Sequence, residues 1–311
     1  MLDVARLQVL VAVAEHGSVT AAAKALNFAQ PSVSHHLTRL QAETGVQLIT
    51  RAGRGIRLTP EGEALAHRAV EIIGRVESAE VELAALAGRR TSRVRVAAFQ
   101  SALSVWAPPA AAALRHRHPD LDLRLTDAHP TVALQWLRAG TIDVAIVFRY
   151  DDTIPDDDVT YDHIADDPMY LLSLRPGTTL TDHRDATWIA GCKNCRRDFV
   201  DACEAAGFAP NISYTSDDII VSQALVAAGL GVTTTPGMAL RSHHAAGVQA
   251  TALKSWHRRV YIATFGEPPL PTATSAFITA LRGAITHDDR SVGPRDGRGV
   301  SAGSVSSAVP R

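Results

Sequence analysis

The stretch SVTAAAKALNFAQPSVSHHLTRLQ, residues 18–41, predicts two short helices in succession. The second begins beside Pro31, which suits the first turn of a helix because that turn does not use the N–H that proline lacks. Its apolar residues Val33, Leu37 and Leu40 share one face at helical spacing. The opposite face carries only hydrogen-bonding side chains, namely Ser32, His35, His36 and Arg39. Such a helix packs by its apolar face and exposes the other either to water or to base edges in a DNA major groove.

The flanking residues extend this pair of helices to a larger motif. Residues 3–16 place apolar side chains at helical spacing, and VQLIT and IRLT flank the turn RAGRG, which predicts a hairpin. Three helices followed by a hairpin outline a winged helix-turn-helix. Between residues 28 and 60 the charged side chains are four arginines and one glutamate, namely Arg39, Arg51, Arg54, Arg57 and Glu43. This local positive charge favours binding to phosphate.

The composition of the whole chain limits its class. It has 311 residues, of which 46% are hydrophobic, and this length allows more than one domain. The formal net charge is -1, so the charge of the whole chain does not indicate binding to nucleic acid or membranes. Three cysteines do not make an extracellular disulfide framework in a chain of this length. The sequence shows no secretory signal and no apolar run of about 20 residues, so we expect a cytoplasmic protein without a membrane partner.

A long helix is predicted after the winged motif, over residues 61–87. Its apolar side chains alternate at spacings of four and three residues, at Leu65, Ala69, Ile72, Val76, Ala79, Leu83 and Leu86. This heptad pattern predicts pairing with a second helix, and the alternative is a helix packed on its own domain. Residues 88–92 supply a hinge.

From residue 93 onward, strands alternate with helices. RVRVAAF, LDLRLTD and IDVAIVF are strand-like runs separated by helix-like segments, an order that predicts a parallel sheet. A second set follows from MYLLSL, so the expected class is α/β, with two lobes joined by crossing strands near residues 147–149 and 263–266 and a cleft between them. The expected boundaries are 1–60 for the winged motif, 61–90 for the linker helix and hinge, 91–164 with 265–287 for the first lobe, 165–264 for the second lobe, and 288–311 for a disordered tail.

Residues 13–65, VAEHGSVTAAAKALNFAQPSVSHHLTRLQAETGVQLITRAGRGIRLTPEGEAL, closely resemble the DNA-binding region of LysR-type transcriptional regulators. The matching motifs are AE-x-GS-x-T-x-AA-x-x-L, QP-x-VS, L-x-x-L, G-V-x-L and R-x-x-R-x-x-x-LTPEG. The later runs P-D-L-x-L, G-x-I-D-V-A-I and L-V-A-A-G-L-G-V resemble the family's two-lobed, periplasmic-binding-protein-like α/β effector domain. One departure is Ala29, which stands where the family tends to place a serine helix cap, a loss of about 1 kcal/mol.

The resemblance implies partners and contact residues. The partners are double-stranded DNA with an inverted-repeat operator, a second copy of the chain paired through the linker helix, a homotetramer of such pairs, and RNA polymerase; no cofactor is implied. The pattern and the resemblance together give as DNA-contacting residues Gln30, Pro31, Ser32, Ser34, His35, His36, Thr38 and Arg39 of the third helix, with Arg51, Arg54 and Arg57 of the wing.

The resemblance also places a small-molecule effector between the lobes. The residues implied to line its site are Gln100, Ser101, Ala102, Phe148, Arg149, Lys193, Ser216, Asp217, Thr234 and Thr235. Free N–H groups at helix starts, together with Arg149 and Lys193, favour an anionic effector.

The cysteines support an alternative, a regulator that senses oxidants through Cys192, Cys195 and Cys203. The segment CRRDFVDACEAAG, residues 195–207, resembles the cysteine-bearing stretch of peroxide-sensing members, with one residue fewer between the cysteines. A second alternative is a solute-binding or catalytic α/β protein that does not bind DNA. Residues 1–287 contain no GxSxG, Walker, HExxH or dinucleotide motif, so we expect neither an enzyme nor a metal site.

Overall fold

A computed structural model describes residues 2–52, 55–87, 92–151, 158–191, 193–266 and 268–291. The N-terminal domain consists of α1 (Val4–His16), α2 (Val19–Ala25), α3 (Gln30–Thr44), β1 (Ile49–Ala52) and β2 (Gly55–Leu58), and the two strands pair antiparallel. The three helices enclose one apolar core, in which the apolar face of α3 is buried. A winged helix-turn-helix is therefore the observed architecture, as the sequence predicts.

The ends of α3 follow from its sequence. The helix starts at Ala29 without a side-chain hydrogen bond to the first turn, as expected for an alanine in the cap position. It ends at Gly45, whose φ of 70° lies in the left-handed region that glycine adopts at low cost.

The linker helix α4 (Pro60–Leu86) is joined tightly to the wing. The Thr59 hydroxyl accepts a hydrogen bond from the Gly62 N–H at 3.0 Å and donates one to the Gln47 carbonyl at 2.6 Å. A Cβ at position 62 would lie 2.0 Å from the Leu48 carbonyl oxygen, so only glycine fits there. These contacts explain why the motif reads Thr-Pro-Glu-Gly at this junction.

The heptad seam of α4 divides into two parts. Leu65 and Ala69 pack into the core of the N-terminal domain. At these two positions the helix therefore packs on its own domain, which is the alternative given for the seam. The next seam residues are exposed, with Ile72 at 37%, Val76 at 36% and Leu83 at 65% relative accessibility. The prediction of a fully intermolecular seam is therefore wrong for its first two positions.

The remaining elements form two lobes. The first part of the chain runs through β3 (Arg93–Ala98), α5 (Gln100–Val105), α6 (Ala107–Arg117), β4 (Asp122–Asp127), α7 (Pro130–Arg138), β5 (Val144–Arg149) and β6 (Val159–Ser173). The second part runs through a 3-10 helix (Thr181–His183), β7 (Thr187–Ala190), α8 (Lys193–Ala205), β8 (Asn211–Thr215), α9 (Ile219–Ala227), β9 (Val232–Pro236), α10 (Gly237–Ser242), β10 (Gln249–Phe265) and α11 (Thr272–Ser291). The strand order is β4-β3-β5-β10-β6-β9-β7-β8, with β3 parallel to β4 and β5, and β7 parallel to β8 and β9.

The two lobes share the long antiparallel strands β6 and β10. The C-terminal part of β10 pairs with β5 in the first lobe, whereas β6 pairs with β9 in the second. The crossings therefore lie near residues 166–168 and 253–258, and the crossings expected near 147–149 and 263–266 are wrong. The first half of β6 is polar and lacks apolar alternation, so the sequence gives little signal for it.

The linker helix also contacts the first lobe. A Cβ at Gly74 of α4 would lie 1.6 Å from the Ala139 carbonyl oxygen and 3.0 Å from the Cα of Gly140. The Arg75 guanidinium lies over the Phe265 ring at 3.8 Å and donates to the Phe265 carbonyl at 3.4 Å. We call these residues, with Ala139 and Gly140, the arm–lobe contact.

The C-terminal helix is longer than expected. A disordered tail is predicted from residue 288, but α11 continues to Ser291. The reason is Asp288, whose carboxylate accepts from the Trp106 indole N–H at 3.0 Å and pairs with Arg241 at 3.3 Å. The rest of the predicted tail, residues 292–311, lies outside the described residues. None of the helices in the described ranges combines the length and apolarity that a membrane crossing needs.

Candidate functional site

The outer face of α3 is a row of exposed polar side chains. Gln30, Ser32, His35 and Arg39 are exposed, whereas Val33, Leu37 and Leu40 on the inner face are buried. Arg39 is 60% exposed and lies 4.0 Å from Glu43, which also pairs with Arg6. Pro31 is exposed in the first turn, and half-buried Ser34 accepts a hydrogen bond from Gln30 at 3.3 Å.

Two of the predicted DNA-contacting side chains have partners within the domain. The His36 ring stacks on Phe28, with centroids 5.9 Å apart and an interplanar angle of 24°. The Thr38 hydroxyl donates to the Ser34 carbonyl of its own helix at 2.9 Å. Both contacts restrict these side chains, whereas no comparable contact within the described part of the domain restricts His35 beyond its edge-on approach to His36.

The wing stands beside α3 and is fixed to that helix. The Gln41 side-chain oxygen accepts from the Leu48 N–H at 2.9 Å and the Ile49 N–H at 3.3 Å. Arg51 and Arg57 are exposed on the paired strands. Arg54, predicted at the tip, lies outside the described residues.

A cavity of about 310 Å³ lies between the two lobes. It is within the range of small-molecule sites, although at the lower end. Seven of the predicted effector residues line it together: Gln100, Ser101, Phe148, Ser216, Asp217, Thr234 and Thr235. The lining also includes residues to which no sequence motif points, among them Asp127, His129, Tyr150, Trp256 and Arg258.

Two predicted effector residues, Ala102 and Arg149, are placed differently. Ala102 is wholly buried in the core of the first lobe, because the inner face of α5 packs there. Arg149 lines a neighbouring depression and donates two hydrogen bonds to Asp151, at 2.9 and 3.0 Å. The side chain of Lys193 lies outside the described residues. The first N–H groups of α9 are also engaged, since Asp218 accepts from Ile220 at 2.7 Å.

Arg258 is the arginine at the wall of the cavity. It is 4% exposed, and its Nε and Nη2 both donate to the Asp167 carboxylate, at 3.0 and 2.8 Å. Its Nη2 also donates to the Ser101 hydroxyl at 2.8 Å, and its guanidinium lies 4.6 Å from the Phe99 ring centre. Asp167 in turn accepts from the Met238 N–H at 2.8 Å, so this ion pair ties the two crossing strands to α5 and α10.

Two other titratable groups of the cavity wall, Tyr150 and His129, are neutral near pH 7. Burial raises the pKa of the Tyr150 hydroxyl well above its ordinary value. Burial lowers the pKa of His129, although the Asp217 carboxylate opposes this effect. The His129 Nε2 lies 3.8 Å from the Cys195 sulfur, and its ring meets Phe148 edge-on at 5.9 Å. Within the described residues, no group of three or more His, Cys, Asp or Glu side chains is arranged to hold a metal ion.

The lowered pKa of His129 predicts a pH dependence of stability. The unfolded chain takes up this proton near pH 6.5, and the folded chain only at lower pH. Stability is therefore full above about pH 6.5 and falls as the pH drops through the lower pKa. His129→Gln should make the fall in unfolding free energy between about pH 7.5 and 5.5 shallower, measured by denaturant titration. His116→Gln, a change at an exposed position of α6, is the control, and equal slopes in both variants and the parent would contradict the prediction.

The two described cysteines are poorly placed to pair. Cys203 is wholly buried, and burial raises its pKa to about 12, so its thiol is protonated. Cys195 and Cys203 lie on the continuous helix α8, where eight positions correspond to roughly 12 Å. A disulfide needs Cα atoms within about 7 Å, so this bridge requires unwinding of the helix. Cys192 lies outside the described residues.

The fold and these surfaces define a class of protein, a DNA-binding domain joined to a two-lobed ligand-binding domain. Residues 4–63 match the family described as bacterial regulatory helix-turn-helix protein, lysR family, and residues 87–286 match the LysR substrate binding domain. The chain belongs to the LysR family and is a DNA-binding transcriptional regulator with an effector-binding domain. This membership sets aside the alternative of an α/β protein without DNA binding.

Individual relatives agree with this membership. The chain is 32% identical over 251 residues to the probable hydrogen peroxide-inducible genes activator of Mycobacterium avium, covering 76% of this chain and 78% of the relative. It is 28% identical over 239 residues to the uncharacterized HTH-type transcriptional regulator YvbU of Bacillus subtilis (strain 168), covering 74% and 80%. The fold is similar to that of ArgP from Mycobacterium tuberculosis, with a TM-score of 0.67, 19% identity and coverage of 92% and 98%. It is also similar to that of CbnR, a LysR family transcriptional regulator, with a TM-score of 0.64, 21% identity and coverage of 91% and 99%.

Proposed function

We propose that α3 reads base edges in the major groove through Gln30, Ser32, His35 and Arg39. The observation that carries this proposal is the division of α3 into a wholly buried apolar face and an exposed polar face. Pro31 and Ser34 lie near the first turn, where backbone and hydroxyl contacts to phosphate position the helix. Arg51, Arg54 and Arg57 of the wing supply phosphate or minor-groove contacts. His36 and Thr38 act within the domain, since Phe28 and the Ser34 carbonyl engage them.

Two arginine substitutions test this division of roles. Arg39→Ala should reduce discrimination at one base pair by about 1–3 kcal/mol, because a base contact is lost. Arg57→Ala should weaken binding to all sequences alike and reduce the slope of log K against log salt by about one. Fluorescence anisotropy with the preferred duplex and its single-base variants, at several salt concentrations, measures both effects. Arg117→Ala, at an exposed position of α6, is the control; equal behaviour of all three variants would contradict the assignment.

The exposed part of the linker helix supports a homodimer. Ile72, Val76 and Leu83 continue the heptad seam beyond the N-terminal domain, and an apolar row of this kind is stabilised by a second helix. Pairing would present two α3 helices on one duplex, so the operator should contain an inverted repeat. Further assembly into a homotetramer and contact with RNA polymerase belong to the same proposal.

We propose the cavity between the lobes as the effector site. Its support is the convergence of both lobes on one enclosed space, with Ser101 and Phe148 from the first lobe and Ser216 and Thr234 from the second. A ligand there contacts both lobes at once, so it favours one arrangement of the lobes over another. The described lining does not favour an anion through Arg149, because Asp151 already binds that side chain.

A thiol sensor is the second candidate, favoured by one contact. Cys195 approaches His129 at 3.8 Å beside the cavity, and a neutral histidine beside a thiol can act as the base that activates the cysteine. A relative named as a probable hydrogen peroxide-inducible genes activator adds to it. The buried, protonated Cys203 argues against a Cys195–Cys203 couple. Thiol titration before and after brief peroxide treatment separates the candidates: an unchanged count with unchanged DNA binding excludes the sensor.

A further inference from the structure

Two polar groups in the cavity wall keep open hydrogen-bonding capacity. Nε and Nη2 of Arg258 are engaged by Asp167 and Ser101, but its Nη1 makes no hydrogen bond to the described residues. Tyr150 lines the same cavity, and its neutral hydroxyl likewise has no hydrogen-bond partner in the described ranges. A guanidinium with open N–H donors in a nearly dry wall favours a ligand oxygen, and a carboxylate gives the strongest hydrogen bonds.

The charges elsewhere in the lining are negative. Asp127, at the end of β4, and Asp217, before α9, both line the cavity and are exposed. Neither forms an ion pair or accepts a hydrogen bond within the described part of the chain. The charges of Arg258 and Asp167 cancel. The described lining of the cavity therefore carries a net charge of two negative charges, from Asp127 and Asp217. This charge opposes a purely anionic ligand and favours one that also carries a cation.

The wall between these groups is aromatic. The rings of Phe99, Phe148, Tyr150 and Trp256 follow one another with centroid separations of 5.0, 5.6 and 6.2 Å. The Arg258 guanidinium covers Phe99 and Phe148, at 4.6 and 4.5 Å, which leaves Tyr150 and Trp256 for a ligand. Aromatic side chains favour apolar groups and organic cations.

We propose that the effector is a compact zwitterion of the amino-acid class, with a carboxylate on Arg258, an ammonium group at Asp127 and Asp217, and an apolar body against Tyr150 and Trp256. The inference rests on the proposed effector site and names the chemistry of its ligand. It replaces the anionic effector expected from the sequence. A cavity of about 310 Å³ holds such a molecule without a large appendage.

Calorimetric titration of the full chain with the standard L-amino acids tests the proposal. Each amino acid that binds is compared with its deaminated acid and its decarboxylated amine; for phenylalanine these are hydrocinnamate and phenethylamine. Loss of either charged group should weaken binding at least about tenfold. Asp217→Asn should weaken binding of the amino acid by a similar factor and should not weaken binding of the deaminated acid, because it removes a negative charge that opposes an anion. Asp201→Asn, at an exposed position of α8 outside the cavity lining, is the matched control.

Three results would overturn the inference: equal affinity for the deaminated acid, equal affinity for the amine, or no binding of any amino acid by folded protein. They do not bear on the DNA-binding part of the proposed function, which is measured separately on duplexes. If a deaminated acid binds the parent chain but not Thr234→Trp, whose side chain fills the cavity, the proposed effector site stands. Only the proposal of a zwitterionic ligand is then contradicted. If the acid binds Thr234→Trp as tightly as it binds the parent chain, the proposal of an effector site in this cavity is contradicted as well.

Discussion

Arg258→Met is expected to lower the free energy of unfolding by about 3–5 kcal/mol, because Asp167 would remain buried and charged without its partner. The two side chains are only 5% and 2% exposed, so water cannot replace the lost interaction. The Ser101 hydroxyl loses its donor in the same change. Denaturant unfolding of the full chain, followed by the tryptophan fluorescence of the effector lobes, measures this loss.

A second substitution separates the buried charge from the lost packing. In Asp167→Asn/Arg258→Met the buried charge is absent, and the asparagine oxygen can still accept from the Met238 N–H. The double variant should therefore be more stable than Arg258→Met alone, although it carries one more substitution in the core. If the double variant is equally or less stable, the buried carboxylate is not the source of the loss.

Gly74→Ala is expected to destabilise the protein by about 1–3 kcal/mol, because it adds a methyl group where two backbones touch. The new Cβ would lie 1.6 Å from the Ala139 carbonyl oxygen, and no flexible side chain is there to give way. The linker helix would have to separate from the first lobe and lose the arm–lobe contact, including the stacking of Arg75 on Phe265. Small-angle scattering should then show a larger radius of gyration.

The matched control is Gly283→Ala. Gly283 lies within α11, and a Cβ there meets nothing within 4 Å. The same chemical change should stabilise the protein by up to about 1 kcal/mol, through helix propensity alone. Thermal unfolding of both variants checks the opposite signs. A stabilising Gly74→Ala would mean that the arm–lobe contact does not form in solution.

The local parts of this protein are readable from the sequence. The helices of the N-terminal domain follow from apolar spacing over a few residues, and the absent cap at Ala29 follows from the residue type alone. Seven of the ten residues implied for the cleft line one cavity, because the resemblance supplies the topology that brings them together. Their role in binding remains a prediction.

The parts that the sequence does not reveal depend on distant contacts. Arg258 and Arg259 are adjacent and chemically identical, and alternation along β10 turns them to opposite faces. Only the fold shows that Arg258 forms an ion pair with Asp167, 91 residues away, whereas Arg149 forms one with its neighbour Asp151. Gly74 likewise gives no signal of its approach to Gly140, since glycine within a helix has many causes.

We propose that the exposed face of α3 reads a specific DNA sequence when two copies of the chain bind one duplex. Selection of bound duplexes from a random-sequence library, at fixed moderate salt, measures this specificity, with Arg39→Ala selected in parallel. We expect an enriched inverted repeat for the parent chain and a change confined to one symmetric pair of positions for Arg39→Ala. Protein that is folded and dimeric but enriches no sequence, or an Arg39→Ala motif identical to that of the parent, would contradict it.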